Sequence, residues 1–473
     1  MSNGVCFRKA LSVWLLASLM LAACAAAGPD YFRPKISMPE GWEQPPDPAL
    51  KPGMADVETW WDVFQDPLLG RLLREAAENN LDLLSAAARV REARAQLAVA
   101  SGEHYPQATA QGQSLRSRDS KTIGNALART QTYYAAGLDA SWEIDLFGRI
   151  SRSVEAARAE YEATDEERLD VLISLYAETA RIYLILRTAQ ARIEAVTGNI
   201  ESQREILRLT RSRFRHGLST RLDVTQAHSV LSSSEAEVPP LELEITQAVN
   251  ALAVLLGKRP GTLSEDLRTP RPVPMVPAEV TVGIPADLLR RRPDIRRAER
   301  LLAAQTARVG VATADLYPSF SLVGSLGLSS ISTGDFFGSD SGFFSIGPVF
   351  TWKVFDGNRI RSRIKVEDAR LEQALLAYES RVLAALNETE NAMSAYIQQQ
   401  ARVEALERSA AASRESLRLA TRLYMDGLAD FQRVLDAQRA LFELDDQVAA
   451  AKGRKVVNLV LLYKALGGGW NPD

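Results

Sequence analysis

Residues 134–150 read YAAGLDASWEIDLFGRI, and this stretch joins two different sequence periods. Between 134 and 146, apolar side chains at even positions alternate with small or polar ones at odd positions, which is typical of a β-strand with one apolar face. From Arg149 to His216 there is no proline and the only glycine is Gly198, so a long helix should follow. Residues 344–354 repeat the strand pattern, and 358–426 contain neither glycine nor proline. A helix of ~65 residues is roughly 100 Å long.

The chain repeats itself at an offset of 210 to 212 residues. Five landmarks recur in the same order: 81–83 with 293–295, 104–106 with 316–318, Trp142 with Trp352, 214–218 with 424–428, and 256–257 with 466–467. Self-similarity of this kind indicates an internal duplication. We therefore predict two copies of one unit of about 200 residues, with an α+β composition.

These landmarks divide the chain into six segments. They are a leader at 1–23, an extended N-terminal segment at 24–66, a first copy at 67–257, a proline-rich connector at 258–286, a second copy at 287–467 and a tail at 468–473. Each copy should contain a helix, a β-hairpin, a long helix and a last helix. We expect the last three at about 105–148, 149–215 and 219–257 in the first copy, and at about 317–356, 358–425 and 430–466 in the second.

The number of strands constrains how the protein assembles. One hairpin per copy gives four strands, each with an apolar face, and a water-soluble sandwich could show the same alternation. If the strands cross a membrane, four cannot close a barrel, and an open edge in hydrocarbon leaves backbone groups unpaired at several kcal/mol each. Two, three or four copies of the chain would supply 8, 12 or 16 strands, and only the larger barrels leave an aqueous lumen.

The N-terminus has the features of a bacterial export signal. Arg8 and Lys9 precede an apolar run from Leu11 to Leu21, and Ala22-Ala23-Cys24 follow. Leu21-Ala22-Ala23-Cys24 resembles a lipobox, in which the cysteine is acylated and becomes the mature N-terminus. An ordinary cleaved secretory signal is the alternative. We expect a lipid-anchored outer-membrane protein, with a second membrane attachment because one lipid alone binds weakly.

Composition argues against several function classes. Lys and Arg number 56 against 59 Asp and Glu, so the basic surplus that nucleic-acid binding requires is missing. Two cysteines exclude a disulfide framework or a cysteine-rich metal site. Only three histidines occur, and no glycine-rich phosphate loop is present. We therefore expect no enzyme activity, no catalytic or metal site, and no cofactor apart from the covalent lipid on Cys24.

Several motifs together carry a family resemblance. In order they are the lipobox, 28–31 (GPDY), 61–67 (WDVFQDP), 292–295 (RPDI), 317–318 (YP), 426–427 (DG) and 435–438 (LDAQ). This order resembles the outer-membrane efflux lipoproteins of the TolC-like superfamily, in the OprM/NodT branch. The resemblance implies a homotrimer with a 12-stranded transmembrane β-barrel, four strands per chain, continuous with a long α-helical periplasmic barrel. It also implies a periplasmic adapter (membrane fusion) protein and an inner-membrane resistance–nodulation–division transporter as partners, and export of drugs, solvents and other amphiphiles.

The matched glycines mark two helix reversals. Gly217 should end one helix in the left-handed conformation, with Ser219 or Thr220 capping the next, and Asp430 should cap the helix after Gly427. A plain reversal of direction explains both glycines. The resemblance implies further that these are the periplasmic tips. It makes five residues candidate adapter contacts: Gly217, Leu218, Ser219, Gly427 and Leu428.

The resemblance also implies a gate at the periplasmic entrance. By motif position, Asp436 matches a constricting aspartate, while Asp223 and Tyr424 match members of a closing network. Arg433 stands where one relative has a second ring aspartate, and Ala429 where it has the arginine of its lock. The closing contacts of this chain therefore need not be the same. Asp436 as a solvated helix residue is the simpler interpretation.

Three other functions are possible. An outer-membrane duct for type I protein secretion shares the architecture, but the lipobox and residues 28–31 favour efflux. A copper or silver exporter should carry methionine clusters, whereas the seven methionines here are scattered. A structural coiled-coil lipoprotein would lack the paired amphipathic hairpins.

Overall fold

The computed structural model describes residues 26–470 apart from 45–47, 52, 54–57, 119, 121, 123–129 and 278. The predicted leader at 1–23 and the predicted lipid site at Cys24 lie outside the described residues. Ten helices are assigned in the described chain: α1 Pro67–Asn79, α2 Leu81–Gly102, α3 Arg149–Arg215, α4 Arg221–Glu235, α5 Val238–Leu255, α6 Ser264–Arg268, α7 Leu288–Arg291, α8 Pro293–Ala314, α9 Arg359–Met425 and α10 Phe431–Ala465. Its strands are β1 Leu50–Lys51, β2 Gln107–Arg118, β3 Thr130–Ile144, β4 Val280–Thr281, β5 Ser319–Ser330 and β6 Gly342–Thr351.

The two longest helices, α3 and α9, have 67 residues each. Both arise from the long stretches without proline, because proline is the residue that most strongly disrupts a helix interior. No helix in the described ranges combines the length and the apolar character needed to cross a membrane. Three short 3₁₀ helices are also assigned among the described residues, at Trp60–Phe64, Pro285–Asp287 and Ser339–Ser341.

Two details differ from the sequence-based expectation. The helix expected at about 219–257 is two helices, α4 and α5, because Pro239 and Pro240 lack the N–H groups that a continuous helix would need there. The predicted connector contains the short helix α6, and its strand β4 pairs in parallel with β1. This pair adds two short strands to the four that the alternation predicts, and two-residue strands are too short for a period to show.

The four long strands form one antiparallel sheet in the order β2-β3-β5-β6. Its register places Leu138 opposite Leu326, and Leu326 opposite Phe344, so the apolar side chains form one face. Other members of this face are Trp142, Ile144, Phe320, Leu322, Ile346 and Phe350. The opposite face is polar at its centre, where the Ser325 and Ser345 hydroxyls are 2.7 Å apart and Gln111 hydrogen-bonds Asp139.

The chain forms two compact units. Of the described residues, the first unit contains those up to Lys35, Val90–Thr164 and Arg297–Tyr378, which include the four-stranded sheet. Small side chains dominate the buried contacts between its helices: Ala159, Ala303 and Ala304 form a cluster against which Tyr31 packs. Alanines of this kind let helices approach closely.

The second unit contains Ile36–Arg89, Asp165–Arg296 and the described residues from Glu379 onward. Its core is formed by large side chains that are almost completely buried, among them Trp60, Leu69, Leu73, Tyr183, Leu184, Leu252, Leu256 and Tyr396. Trp60 stacks on Tyr463 with ring centroids 5.7 Å apart, so the aromatic 60–64 segment is anchored in this core.

Matching positions of the two predicted copies make matching contacts. The indole Nε1 of Trp142 donates to the carbonyl of His104 (2.9 Å), and that of Trp352 to the carbonyl of Leu316 (3.1 Å). Asn80 donates to the carbonyl of Leu255, and Arg292 to that of Ala465, at 2.9 and 2.7 Å. The residues of the second contact follow their counterparts in the first by 210 or 212 positions, the same offsets that separate the sequence landmarks.

Candidate functional site

The first helix reversal joins α3 to α4 through Gly217, whose φ is +73°. The N–H of Leu218 donates to the carbonyl of Arg213 (2.8 Å), and the N–H of Gly217 to that of Phe214 (3.0 Å). This is a Schellman-type end, which needs a residue in the left-handed region and therefore favours glycine. The Leu218 side chain is 65% exposed, so the reversal itself does not use it.

The second reversal, between α9 and α10, repeats this geometry. Gly427 has φ +75°, and the N–H of Leu428 donates to the carbonyl of Leu423 at 2.9 Å. Leu428 is 76% exposed. Both reversals therefore place an exposed leucine directly after a left-handed glycine.

The caps that follow the glycines differ between the two reversals. At the first, the hydroxyl of Thr220 accepts from the Asp223 N–H (3.2 Å), and the Asp223 carboxylate accepts from the Thr220 N–H (2.9 Å). This is a capping box, and Ser219 is not the cap: its hydroxyl lies 3.5 Å from the Thr210 carbonyl. At the second, Asp430 caps α10 by accepting from the Arg433 N–H, as expected.

An apolar cluster lies beneath both reversals. Its buried members are Val196, Ile200, Ile206, Leu207, Ala227, Val230, Leu231, Leu241, Tyr424, Phe431, Val434 and Leu435. The Tyr424 ring lies 5.2 Å from the Phe431 ring and 4.7 Å from the guanidinium carbon of Arg213. Arg213 also donates from Nη1 to the Met425 carbonyl at 2.9 Å, and so it joins the end of α3 to the end of α9.

Tyr424 and Asp223 were expected in one closing network, and the chain does not join them. Within the described part of the chain, the buried Tyr424 hydroxyl has no hydrogen-bond partner, and the Asp223 carboxylate is used in its own capping box. Sequence reasoning missed Arg213. The available signal was an arginine in the last turn of α3, one residue before the Phe214 that the repeat pairs with Tyr424.

The candidate constriction lies in the first turns of α10. Asp436 is exposed, and its carboxylate accepts from Nε2 of Gln432 at 2.9 Å. Arg433 is exposed too, and its backbone N–H serves the Asp430 cap. Phe431, Val434 and Leu435 form the opposite, buried side of the helix. The exposed side thus presents one carboxylate and one guanidinium within a single turn.

A second candidate site is the four-stranded sheet itself. In the described residues, β2 and β6 each have a neighbouring strand on one side only, so the outer backbone groups of a 12-residue and a 10-residue strand lack sheet partners. The apolar face is also open: Phe344 is 83% exposed. An edge and a face of this kind need a covering surface.

Comparison with known proteins adds to this geometry. The profile of the family described as "Outer membrane efflux protein" matches residues 72–258 and 284–468. The chain belongs to this outer membrane efflux protein family. It is therefore an outer-membrane channel component of tripartite efflux pumps, located in the outer membrane, as the sequence resemblance implied.

Individual relatives agree over nearly the full length. Nodulation protein T of Rhizobium leguminosarum bv. trifolii is 32% identical, with 96% of each chain covered. The solvent efflux pump outer membrane protein SrpC of Pseudomonas putida is also 32% identical, over 98% of this chain and 99% of the relative. Among solved structures, the outer-membrane channel OprN has a TM-score of 0.89 at 37% identity, covering 94% of this chain and 99% of that one. The open state of MtrE from Neisseria gonorrhoeae has a TM-score of 0.84 at 30% identity, covering 95% and 99%.

Proposed function

We propose that three copies of this chain form one passive export duct. Their twelve long strands close a transmembrane β-barrel, and their long helices form a continuous periplasmic α-helical barrel. A periplasmic adapter protein and an inner-membrane proton-driven transporter of the resistance–nodulation–division type deliver the substrate to it. The duct binds no cofactor and performs no chemistry.

The sheet with two open edges is the observation that carries this proposal. Each unpaired backbone group in hydrocarbon costs several kcal/mol, so β2 and β6 must each find a strand from another copy. Three copies supply twelve strands, enough for a water-filled lumen lined by the polar face around Asp139, Ser325 and Ser345. The apolar face then contacts lipid.

The matched contacts support an origin of the chain from two internal repeats. Trp142 and Trp352 bind equivalent carbonyls, and so do Asn80 and Arg292. A trimer of a duplicated chain would have six similar hairpins around its axis. Approximate sixfold repetition would let both barrels, strand and helix, close evenly.

The two helix reversals are the proposed adapter contacts. Gly217, Leu218 and Ser219 form one tip, and Gly427 and Leu428 form the other. Neither exposed leucine is needed for the reversal, and exposed apolar side chains at a helix end are suited to bury themselves in a partner's groove. Leu218 and Leu428 would be the anchors, and the glycines would hold them in place.

Asp436 is the proposed constriction residue. Three copies of its exposed carboxylate around one axis would focus a negative potential that favours cations. Arg433, one turn earlier, would reduce that field. For Asp223 we propose a structural role in the capping box, and for Tyr424 a packing role beside Arg213, in place of the shared closing network that the resemblance implied.

We further propose that Cys24 carries the lipid. The Ala27 N–H donates to the Phe147 carbonyl at 2.9 Å. Ala27 lies three residues after the cysteine, and Phe147 lies three residues after the end of β3. An acyl chain on Cys24 would therefore start beside the end of the membrane-facing strands. The cargo class we propose is small amphiphiles, by analogy with the solvent pump SrpC.

Deletion of the gene tests this function. The deleted strain should become more susceptible to several antibiotics, detergents and solvents, and the wild-type gene should restore resistance. A gene that carries both Leu218→Glu and Leu428→Glu should fail to restore resistance. The variant protein should still be present at its normal level and should show heat-modifiable migration on gels. Leu243→Glu, at an exposed leucine on α5, is the matched control and should restore resistance. Unchanged susceptibility of the deleted strain to every compound would contradict the proposal.

A further inference from the structure

The junction between β6 and α9 carries an unusual group of free positive charges. Within the described residues, four cations there form no ion pair: Lys353, Arg359, Arg361 and Lys365. All four are exposed. They lie just after the last residue of β6 and within the first two turns of α9. Like charges so close together repel one another and are destabilising, which points to a functional role for this cluster.

The carboxylates around these cations already have partners. Of those that line a cavity with Lys353, Glu143 pairs with Arg149, and Asp145 accepts from the Ser151 hydroxyl and N–H. Asp315 pairs with Arg363 (3.4 Å), Asp356 accepts from the Ile360 N–H (2.7 Å), and Glu367 pairs with Arg370. Asp368 is the one further acid in the first turns of α9. The cluster of Lys353, Arg359, Arg361 and Lys365 therefore keeps a net positive charge.

The first copy shows that the fold does not require this charge. At the corresponding junction, Arg149 pairs with Glu143 (2.9 Å) and Glu103 (3.4 Å). At an offset of 210, the positions of Arg361 and Lys365 are occupied by Ser151 and Glu155. Thus one junction is neutralised within the chain and the other is not.

Exposed apolar side chains adjoin the free cations. Val354 is 78% exposed and Phe355 is 92% exposed, and Trp352 beside them is half exposed while its indole N–H binds the Leu316 carbonyl. An aromatic and apolar surface followed by lysine and arginine is the pattern of a membrane–water boundary. The junction lies where β6, with its apolar face, gives way to a periplasmic helix.

We propose that this junction binds anionic phospholipid of the periplasmic leaflet. The phosphodiester would contact Arg361 and Lys365, which lie one turn apart on the same side of α9, while Arg359 would add to the positive potential. The start of the acyl chain would lie against Val354 and Phe355. This inference rests on the proposed membrane-spanning barrel and deepens it. Each lysine or arginine near an anionic membrane surface contributes about fivefold in affinity.

The test compares two triple variants on α9 in nonionic detergent. The first is Arg359→Gln, Arg361→Gln and Lys365→Gln. The control is Arg402→Gln, Arg408→Gln and Arg422→Gln, which removes the same charge from exposed positions that also lack an ion pair among the described residues. Native mass spectrometry counts the lipids bound per particle during titration with phosphatidylglycerol or phosphatidylcholine.

The wild type and the control should bind phosphatidylglycerol more tightly than phosphatidylcholine. The first variant should bind phosphatidylglycerol at least tenfold more weakly than the wild type does. A further variant, Val354→Ser with Phe355→Ser, should weaken binding of both lipids. Millimolar inorganic phosphate should not compete, because it lacks the acyl chain; complete competition would mean a simple phosphate site and would overturn the proposal.

Three further outcomes would overturn it while leaving the channel intact. They are unchanged lipid counts in the first variant, an equal loss in the control, and altered ion selectivity of the pore without lipid loss, which would place the cations in the lumen. Dissociation of the first variant's particles at every lipid concentration would assign the cations to a neighbouring subunit instead. If wild-type particles contain a single chain, the proposed function itself fails, and the mass spectrum reports this separately.

Discussion

Tyr424 is held by its ring and not by its hydroxyl. Arg213 lies over one face of the ring and Phe431 lies beside it, whereas the buried hydroxyl has no partner in the described chain. A cation over an aromatic ring contributes about 0.5–2 kcal/mol, and the Arg213 hydrogen bond to the Met425 carbonyl adds to it. Arg213 therefore helps to tie the two helix ends of one chain together, above the apolar cluster that both share.

Substitutions of Arg213 and Tyr424 should change the conductance of the channel to different extents. Tyr424→Phe should leave the conductance of the channel in planar bilayers unchanged, because no hydrogen bond is lost. Arg213→Gln should raise that conductance, since it removes both the stacking charge and the link to α9. A conductance increase with Tyr424→Phe as large as with Arg213→Gln would show that the hydroxyl is used in the assembled channel.

Asp436 offers a second test at the scale of one residue. Asp436→Ala should raise single-channel conductance or reduce cation selectivity, because the proposed trimer would place three of these carboxylates around its entrance. Glu404→Ala is the control: it removes an exposed carboxylate from α9, far from the reversals. An unchanged record with Asp436→Ala would mean that this carboxylate is merely solvated.

A buried ionic group at the start of α8 shows how elements are joined in the second unit. Arg292 donates to Asp294 at 3.1 and 2.7 Å, to Glu388 at 2.7 Å and to the Ala465 carbonyl at 2.7 Å. Arg381 adds a contact of 2.7 Å to Asp294. These bonds tie α8 to both α9 and α10.

The buried Asp294 and the partly buried Asp170, which interacts electrostatically with Asp294, Arg292 and Arg381, have opposite pKa shifts. Burial opposes the charge of Asp294, but hydrogen bonds and charge from Arg292, with Arg381, lower its pKa overall. Burial, reinforced by the charge of Asp294, raises the pKa of Asp170. Asp294 thus stabilises the fold above its unfolded pKa and loses this contribution as pH falls through its lower folded pKa. Asp170 destabilises the fold once pH rises through its raised pKa.

Isosteric substitutions at the two aspartates should change the melting temperature in opposite directions. At neutral pH, Asp294→Asn should lower the melting temperature in detergent, because removing one partner of a buried ion pair costs about 3–5 kcal/mol. Asp170→Asn should raise it, and this gain should shrink as pH falls through the raised pKa of the wild-type carboxyl. Melting temperatures measured from neutral to acidic pH test the direction of both changes. Equal shifts of the melting temperature in the same direction for both variants would contradict the opposite roles of the two aspartates.

Glycines at helix ends allow a further comparison between elements. Gly257 has φ +67°, and a Cβ there would lie 2.5 Å from the Asn79 carbonyl oxygen. Gly217 has φ +73° with open space around it. Both Gly→Ala variants carry a backbone cost of about 1–2 kcal/mol, and only Gly257→Ala adds an overlap of about 1–3 kcal/mol. Gly257→Ala should therefore lower the melting temperature clearly more, and equal effects would show that the α1 end can move away.

The sequence was most informative where a period runs over many residues. The missing prolines predicted the long helices, and the alternation predicted the apolar face of the sheet, since both depend on local rules. The β3–β5 pairing could not be predicted, because it joins strands almost 200 residues apart and no turn sets its register. Arg213 was missed for the same reason: its partners on α9 lie more than 200 residues away.

At the scale of the whole molecule, the open sheet edges are the feature that a single chain leaves incomplete. The family and the outer-membrane location follow from the comparisons, while the need to pair β2 and β6 supports the proposal that several chains share one barrel. Residues 134–150 could show that strands lead into long helices. They could not show how many chains share one barrel, because that depends on strand tilt and closure.

Counting the chains in one particle is the most direct test of the proposed shared barrel. Light scattering on detergent-purified protein, with the detergent mass subtracted, should give three chains per particle, and heating should convert this species to single chains on gels. A particle of one chain, or protein that stays monodisperse in buffer without detergent, would contradict the shared barrel.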